Sequence, residues 1–293
     1  IGVSPRRRGG RNDVGIEQVQ DSEARIPQRA CRLAGAFGDI LRLAGKGQQQ
    51  VGEIRNSRDA LPFLEGEQHR LLAAVPGDDR RLARHGLTQA LFNLPPGDWN
   101  AGEKGFAALP DRFADLQASL KTALPYAEAT GVKRVHLMAG IADRNDRHAV
   151  EAFYKSVAYA AEFFAPHGLD VVIEPINPRN VPGYFLNDFN FAYELIRELK
   201  IPNLKLQFDI YHCQIIHGDV TMRLREMMPI IGHIQIASIP SRNEPDDEEL
   251  NYPFLFGELD RLGYGGFVGC EYNPRGKTTD GLAWFKPYAG ARS

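Results

Sequence analysis

From about residue 86 onward, short apolar runs alternate with segments long enough to form helices. The runs are rich in β-branched and aromatic residues, a composition typical of strands buried on both faces. Six strands are predicted near residues 87–93, 134–140, 170–175, 204–209, 231–237 and 266–272. Six helices are predicted near residues 111–130, 147–166, 188–200, 219–228, 252–262 and 278–287, with Pro110 at the first start and Gly131, Gly168 and Gly263 as stops.

Four oxygen-bearing residues stand at the downstream ends of the last four predicted strands. They are Glu174, Asp209, Gln235 and Glu271, spaced 26 to 36 residues apart. A strand, a helix and two turns take roughly 30 residues, and in β/α barrels functional groups gather at the C-terminal ends of the strands. Because residues two apart on a strand face the same side, all four can point into one site. The pattern predicts an α/β fold, a TIM (β/α)8-type barrel, with a polar site at its mouth.

Three carboxylates converging inside an apolar barrel repel one another and are costly to bury uncompensated, so a divalent cation is their natural partner. Three carboxylates and one amide oxygen form a hard ligand set, which favours Mg²⁺ or Mn²⁺ over Zn²⁺. Coordination by the nearby His233 or His212 would shift the preference toward Mn²⁺ or Zn²⁺. The alternatives are that each acid caps a helix or pairs with a surface arginine, and that each histidine is a hydrogen-bonded core residue.

Six short motifs stand in a characteristic order between about Gly86 and Tyr288. They are Leu91-Phe-Asn-Leu-Pro-Pro-Gly-Asp-Trp-Asn-Ala-Gly-Glu103, Ile173-Glu-Pro-Ile-Asn177, Gln207-Phe-Asp-Ile-Tyr-His212, Gly232-His-Ile-Gln-Ile236, Asn251-Tyr252 and Gly269-Cys-Glu-Tyr272. In order and spacing they resemble the hydroxypyruvate isomerase family within the xylose-isomerase-like barrels. The resemblance covers roughly two thirds of the chain.

The resemblance implies roles for six residues. Glu174 and Glu271 would act as acid/base residues as well as metal ligands, and Asp209 and Gln235 would complete the metal shell. His212 and Arg242 would contact the substrate. For His212, a core role remains the alternative.

The implied reaction is an aldose–ketose type isomerisation, in which a proton moves between adjacent carbons through a cis-enediolate. Glu174 and Glu271 would end the fifth and eighth strands of a complete barrel, where they can flank a small substrate. Arg242, just past the seventh strand, is suited to bidentate binding of a substrate carboxylate. The alternative for Arg242 is a surface arginine paired with the acids at 246–248.

The most direct prediction is a metal-dependent isomerase that interconverts hydroxypyruvate and tartronate semialdehyde. An isomerase of the four-carbon 2-oxo-tetronate needs the same groups and stays an alternative. A metal-dependent phosphoester hydrolase or endonuclease on the same barrel is an alternative from another class, but such enzymes usually need several histidine ligands and a basic groove.

The loop of residues 93–106 is rich in Gly, Pro and Asn and lies on the predicted catalytic face. It can serve as a lid, with Trp99 and Glu103 as the residues of interest, or as an ordered structural loop.

Composition limits the kinds of partner and the compartment that we expect for this chain. With 293 residues, 43% hydrophobic content and a net charge of −2, the chain is long enough for one barrel and shows no charge excess toward nucleic acid. Three widely spaced cysteines, Cys31, Cys213 and Cys270, predict a reducing, cytoplasmic compartment. No apolar run or N-terminal signal indicates a membrane. We expect a small hydroxy-oxo acid as the partner and leave a homo-oligomer open.

Residues 1–80 do not continue the pattern. They are rich in Arg, Gly, Ala and Gln, and no short apolar run occurs where the first two strands of a complete barrel belong. We expect an atypical segment here, disordered or mistranslated out of frame, with the first two β/α units aberrant or missing and the metal-dependent isomerase barrel spanning residues 81–293. A divergent folded pair of β/α units and an arginine-rich, partner-binding extension are the alternatives.

Overall fold

A computed structural model describes residues 88–288, together with Leu82. Six parallel strands form one sheet whose order follows the chain. The strands are β1 (Phe92–Asn93), β2 (Arg134–His136), β3 (Asp170–Ile173), β4 (Leu204–Asp209), β5 (Ile231–Ile236) and β6 (Val268–Cys270). The sheet forms a half-barrel of the TIM type, which confirms the predicted fold class. The predictions for residues 1–80 lie outside the described residues and stay predictions.

Helices lie in the connections between the strands of the described part. The α-helices are α1 (Phe113–Thr130), α2 (Arg147–Phe164), α3 (Phe189–Leu199), α4 (Ile210–Ile216), α5 (Val220–Met227) and α6 (Tyr252–Arg261). Short 3-10 helices cover Pro110–Arg112, Ala165–His167, Met228–Ile230 and Leu282–Tyr288. No helix within residues 88–288 is long and apolar enough to cross a membrane.

Three details differ from the predicted elements. Helix α4 was not predicted; it begins directly after β4 because the side chain of Asp209 accepts hydrogen bonds from the backbone N–H groups of its first turn. The predicted helix near 278–287 is the 3-10 helix Leu282–Tyr288. Several strands are also shorter than predicted. β3 stops at Ile173, two residues before Pro175, which has no N–H to donate to a neighbouring strand.

The apolar core lies between the sheet and the helices. Outward-facing strand residues and inward-facing helix residues are completely buried in one cluster; examples are Val171, Ile173, Leu206, Phe208, Phe153 and Leu195. Burying each such side chain stabilises the fold by about 1.5–3 kcal/mol. The opposite face of the strands therefore stays free for polar groups. Along β4, Leu206 and Phe208 face the helices while Gln207 and Asp209 face the inside of the half-barrel.

Candidate metal and substrate site

All four predicted ligands lie at the C-terminal edge of the sheet. Glu174 follows β3, Asp209 ends β4, Gln235 is the penultimate residue of β5 and Glu271 follows β6. Asp209 and Gln235 are directly opposite one another in the β4–β5 pairing. The N–H of Glu271 donates to the carbonyl of Ile236 (3.1 Å), which extends the β5–β6 pairing to this residue.

Glu174, Asp209 and His212 form the tightest part of the site. Each offers one ligand atom, and the three atoms lie within 4.8 Å of one another, so these residues could hold a metal ion. All three side chains are buried. Glu174 Oε1 and Asp209 Oδ2 have no hydrogen-bond partner among the described residues. Buried carboxylate oxygens without partners are costly, and a cation is the group that fits them.

The electrostatics of the two acids support the same conclusion. Burial, with repulsion from Glu271 and Asp209, raises the pKa of Glu174 well above its usual range. Burial also raises the pKa of Asp209, although Arg242 and two backbone N–H groups oppose the rise. Each acid is thus harder to ionise in the metal-free fold, and a bound cation would reverse this effect.

Gln235 is held by a neighbour that sequence reasoning missed. Nε2 of Gln207 donates to Oε1 of Gln235 at 2.5 Å, so the amide oxygen of Gln235 is fixed at the site edge. Gln207 lies two residues before Asp209 on β4 and faces the same way, which was the available signal. Gly269 leaves room for this arrangement, since a Cβ there would lie 3.2 Å from Gln235 Cγ and 3.0 Å from His233 Nε2.

Glu271 pairs with Arg242 and lies apart from the tight group. Arg242 Nη2 is 3.3 Å from Glu271 Oε2, and 38% of the Glu271 side chain is exposed. The guanidinium of Arg242 also stacks over the Tyr211 ring, 5.0 Å from its centroid. Arg275 is the arginine that pairs with Asp246, at 2.6 Å. Arg242 therefore faces the site and not the acidic loop.

Three buried histidines surround the carboxylates. Burial lowers the pKa of His212 to about 3, with a further contribution from Arg242, and lowers that of His233 to about 4. His136, which sequence reasoning missed, has its Nε2 3.7 Å from Glu174 Oε2 and its Nδ1 2.9 Å from Oδ1 of Asn93. Burial and the neighbouring histidines lower the pKa of His136 to about 3. All three are therefore neutral near pH 7.

Residues of the predicted lid contact one another and Arg112. Glu103 Oε2 accepts a hydrogen bond from the backbone N–H of Asp98 (2.6 Å), and its Oε1 pairs with Arg112 (2.5 Å). Lys104 Nζ lies 2.9 Å from the centroid of the Trp99 ring. These contacts hold the loop in shape, and the lid role of Trp99 and Glu103 stays a prediction.

Comparison with other proteins places this chain among the xylose isomerase-like barrels. A family model described as xylose isomerase-like TIM barrel matches residues 79–288. A 2-oxo-tetronate isomerase of Cupriavidus necator is 52% identical over 212 residues, which cover 72% of this chain and 82% of that protein. A hydroxypyruvate isomerase of Escherichia coli is 38% identical over 209 residues, covering 71% and 81%.

This chain is also similar to a protein of solved structure. A crystal structure of an AP endonuclease, family 2, from Brucella melitensis matches with a TM-score of 0.70 and 45% identity. The match covers 78% of this chain and 93% of that one.

Proposed function

Because this chain belongs to the xylose isomerase-like TIM barrel family, and its named relatives include isomerases, we propose that it is a metal-dependent isomerase of short hydroxy-oxo acids. The observation that carries the proposal is the pair of buried carboxylate oxygens without partners among the described residues, Glu174 Oε1 and Asp209 Oδ2, beside the cationic Arg242. A site with this composition can bind a cation and an anionic substrate together.

Two carboxylates perform the proton transfer in this proposal. Glu174 removes a proton from one carbon and Glu271 returns one to its neighbour, or the reverse for the opposite direction, through a cis-enediolate. Burial raises the pKa of both carboxyl groups in the metal-free fold, and a bound cation would favour the ionised form that can accept a proton from carbon.

Arg242 binds the substrate carboxylate. Its contact with Glu271 is 3.3 Å long, and a substrate carboxylate can offer two shorter, bidentate contacts. Substrate binding would then weaken the Arg242–Glu271 pair and leave Glu271 free for proton transfer. The stacked Tyr211 ring holds the guanidinium plane in position for this exchange.

Mg²⁺ or Mn²⁺ would be held by Glu174, Asp209, Gln235 and Glu271, and would supply positive charge for the two oxygens of the enediolate. Gln207 contributes by holding the amide of Gln235 at the site edge.

Two acids are candidate substrates for this site. Hydroxypyruvate, converted to tartronate semialdehyde, is the simplest acid with the required groups. The four-carbon acid is the second candidate, because the relative with 52% identity is named a 2-oxo-tetronate isomerase. Measuring kcat/KM for both acids with one preparation of the protein tests the proposal. Turnover of neither acid, with Mg²⁺ or Mn²⁺ present, would contradict it.

The similarity to an AP endonuclease from Brucella melitensis makes a phosphoester hydrolase the second candidate function. That reaction would need more than one metal ion and a DNA substrate. Incubation with an oligonucleotide that carries one abasic site separates the two functions, since we expect isomerisation without strand cleavage.

A further inference from the structure

We propose that Asn177 is a positioning residue that fixes the proton of His212 on Nε2, so that His212 donates a hydrogen bond to the substrate and does not ligate the metal. The inference rests on the proposed function for the substrate, but the position of the proton can be measured independently of turnover. It assigns a role to a residue of the loop after β3.

Two donors from Asn177 converge on Nδ1 of His212. The backbone N–H of Asn177 donates to this nitrogen at 3.2 Å, and the side-chain Nδ2 donates at 2.6 Å. The orientation of the amide is settled by a third contact, because the backbone N–H of Asn180 donates to Oδ1 of Asn177 at 3.0 Å. With the oxygen turned toward Asn180, the NH₂ group faces His212.

This arrangement determines which nitrogen carries the proton. A nitrogen that accepts hydrogen bonds from N–H groups uses its lone pair and carries no hydrogen. A neutral imidazole has one N–H, which must therefore be on Nε2. A histidine that ligates a metal through Nε2 normally donates its Nδ1–H to a neighbour, and here Nδ1 is an acceptor.

The proton on Nε2 points into the site. Nε2 lies 3.9 Å from Glu174 Oε1 and 3.7 Å from Asp209 Oδ2, both beyond the length of a good hydrogen bond. A substrate oxygen placed among these groups would be within reach of this donor. Charge grows on the substrate oxygens as the enediolate forms, and a fixed donor aimed at one of them would stabilise that charge.

His136 provides an internal comparison because its tautomer is the opposite one. Its Nδ1 lies 2.9 Å from Oδ1 of Asn93, an acceptor, so Nδ1 carries the proton and Nε2 faces Glu174 with a lone pair. The tautomer of His136 is thus set by Asn93 and that of His212 by Asn177. A change at Asn177 should therefore alter the signals of His212 and leave those of His136 in place.

The test is a long-range ¹⁵N–¹H spectrum of the histidine rings, with His212 assigned by its loss in His212→Gln. We expect the metal-free protein to show the Nε2–H form of His212, and we expect it to persist when Mg²⁺ is added. Asn177→Asp places a carboxylate opposite Nδ1, so the spectrum should change to a form with a proton on Nδ1. Asn190→Asp, which adds the same charge on the surface of α3, should leave His212 unchanged.

Kinetics add a second readout. Asn177→Asp should lower kcat by about 10- to 100-fold, the usual effect of losing a group that orients a site residue. An Nδ1–H form of His212 in the unmodified protein would overturn the proposal even if the variant fails to fold. An Nε2–H form that is unaffected by Asn177→Asp would overturn the role of Asn177. Either result would leave isomerase activity and metal rescue, which test the proposed function, unaffected.

Discussion

Asp209→Asn should stabilise the metal-free protein and destabilise the metal-loaded one relative to wild type. Asp209 Oδ1 caps α4 by accepting from the N–H groups of Tyr211 and His212, at 2.7 and 3.4 Å, and an amide oxygen can keep these bonds. What the change removes is the negative charge of a residue that is 1% exposed. This buried charge destabilises the fold when no cation is bound, whereas the charged carboxylate would serve as a ligand when a cation is present.

The size of the effect follows from the separation of the acids. The ligand atoms of Glu174 and Asp209 lie within 4.8 Å, and two unit charges at that distance repel by about 3 kcal/mol at an effective dielectric constant of about 20. Uptake of a proton by Glu174 relieves part of this repulsion. We therefore expect a gain of about 1–3 kcal/mol, or a Tm higher by roughly 2–12 °C, in EDTA.

Thermal unfolding followed by circular dichroism, in EDTA and in saturating Mg²⁺, measures both parts. Asp188→Asn is the matched control, because Asp188 caps α3 through the N–H groups of Asn190 and Phe191 in the same way. Asp188 also pairs with Arg144, so its variant should lose stability equally in both buffers. An Asp209→Asn protein that is destabilised to the same extent in EDTA and in Mg²⁺ would refute the reasoning.

Four further outcomes are expected. Glu174→Gln or Glu271→Gln should lower kcat by at least about 100-fold with little loss of fold stability, and near-normal turnover would leave that residue as a ligand only. Arg242→Lys should raise KM by about 10-fold, since one bidentate contact is lost; an unchanged KM would remove Arg242 from substrate binding. Burial raises the pKa of Glu174, so its contribution to metal-free stability is present below its ordinary pKa of 4.5 and is lost as pH rises through the raised pKa. Urea unfolding in EDTA between pH 4 and pH 8 should therefore show a contribution of Glu174 to the free energy of unfolding that falls as pH rises, and a rise would contradict this. If the loop is a lid, Trp99→Ala should lower kcat and raise KM together, and unchanged kinetics would leave Trp99 and Lys104 as structural contacts.

Much of the fold was predictable because strands buried on both faces leave a simple signature. Outward residues such as Val171 and Leu206 are apolar and helix-covered, so the strands appear as short apolar runs. The position of Glu174, Asp209, Gln235 and Glu271 at one edge followed from their spacing alone. The ends of strands were less predictable, because they depend on local donors and acceptors. Helix α4 begins where it does through the cap that Asp209 provides.

The pairings that sequence reasoning missed join side chains that are distant in the chain. His136 is paired with Asn93, 43 residues earlier, and His212 with Asn177, 35 residues earlier. Neither pairing leaves a periodic signal, since hydrogen bonds between side chains of different loops and strands depend on the assembled sheet. The direction of Arg242 was ambiguous for the same reason, as only the fold determines that Arg275 pairs with Asp246.

The most direct test of a metal-dependent isomerase is to count and exchange its metal while following the reaction. The protein is treated with chelator, its metal content is measured by elemental analysis, and turnover of 2-oxo-tetronate and hydroxypyruvate is followed as Mg²⁺, Mn²⁺ or Zn²⁺ is returned. We expect one divalent ion per chain, loss of activity on chelation, and rescue by Mg²⁺ or Mn²⁺. Tightly held stoichiometric Zn²⁺ without rescue by Mg²⁺ or Mn²⁺, or turnover that survives complete removal of metal, would contradict the account.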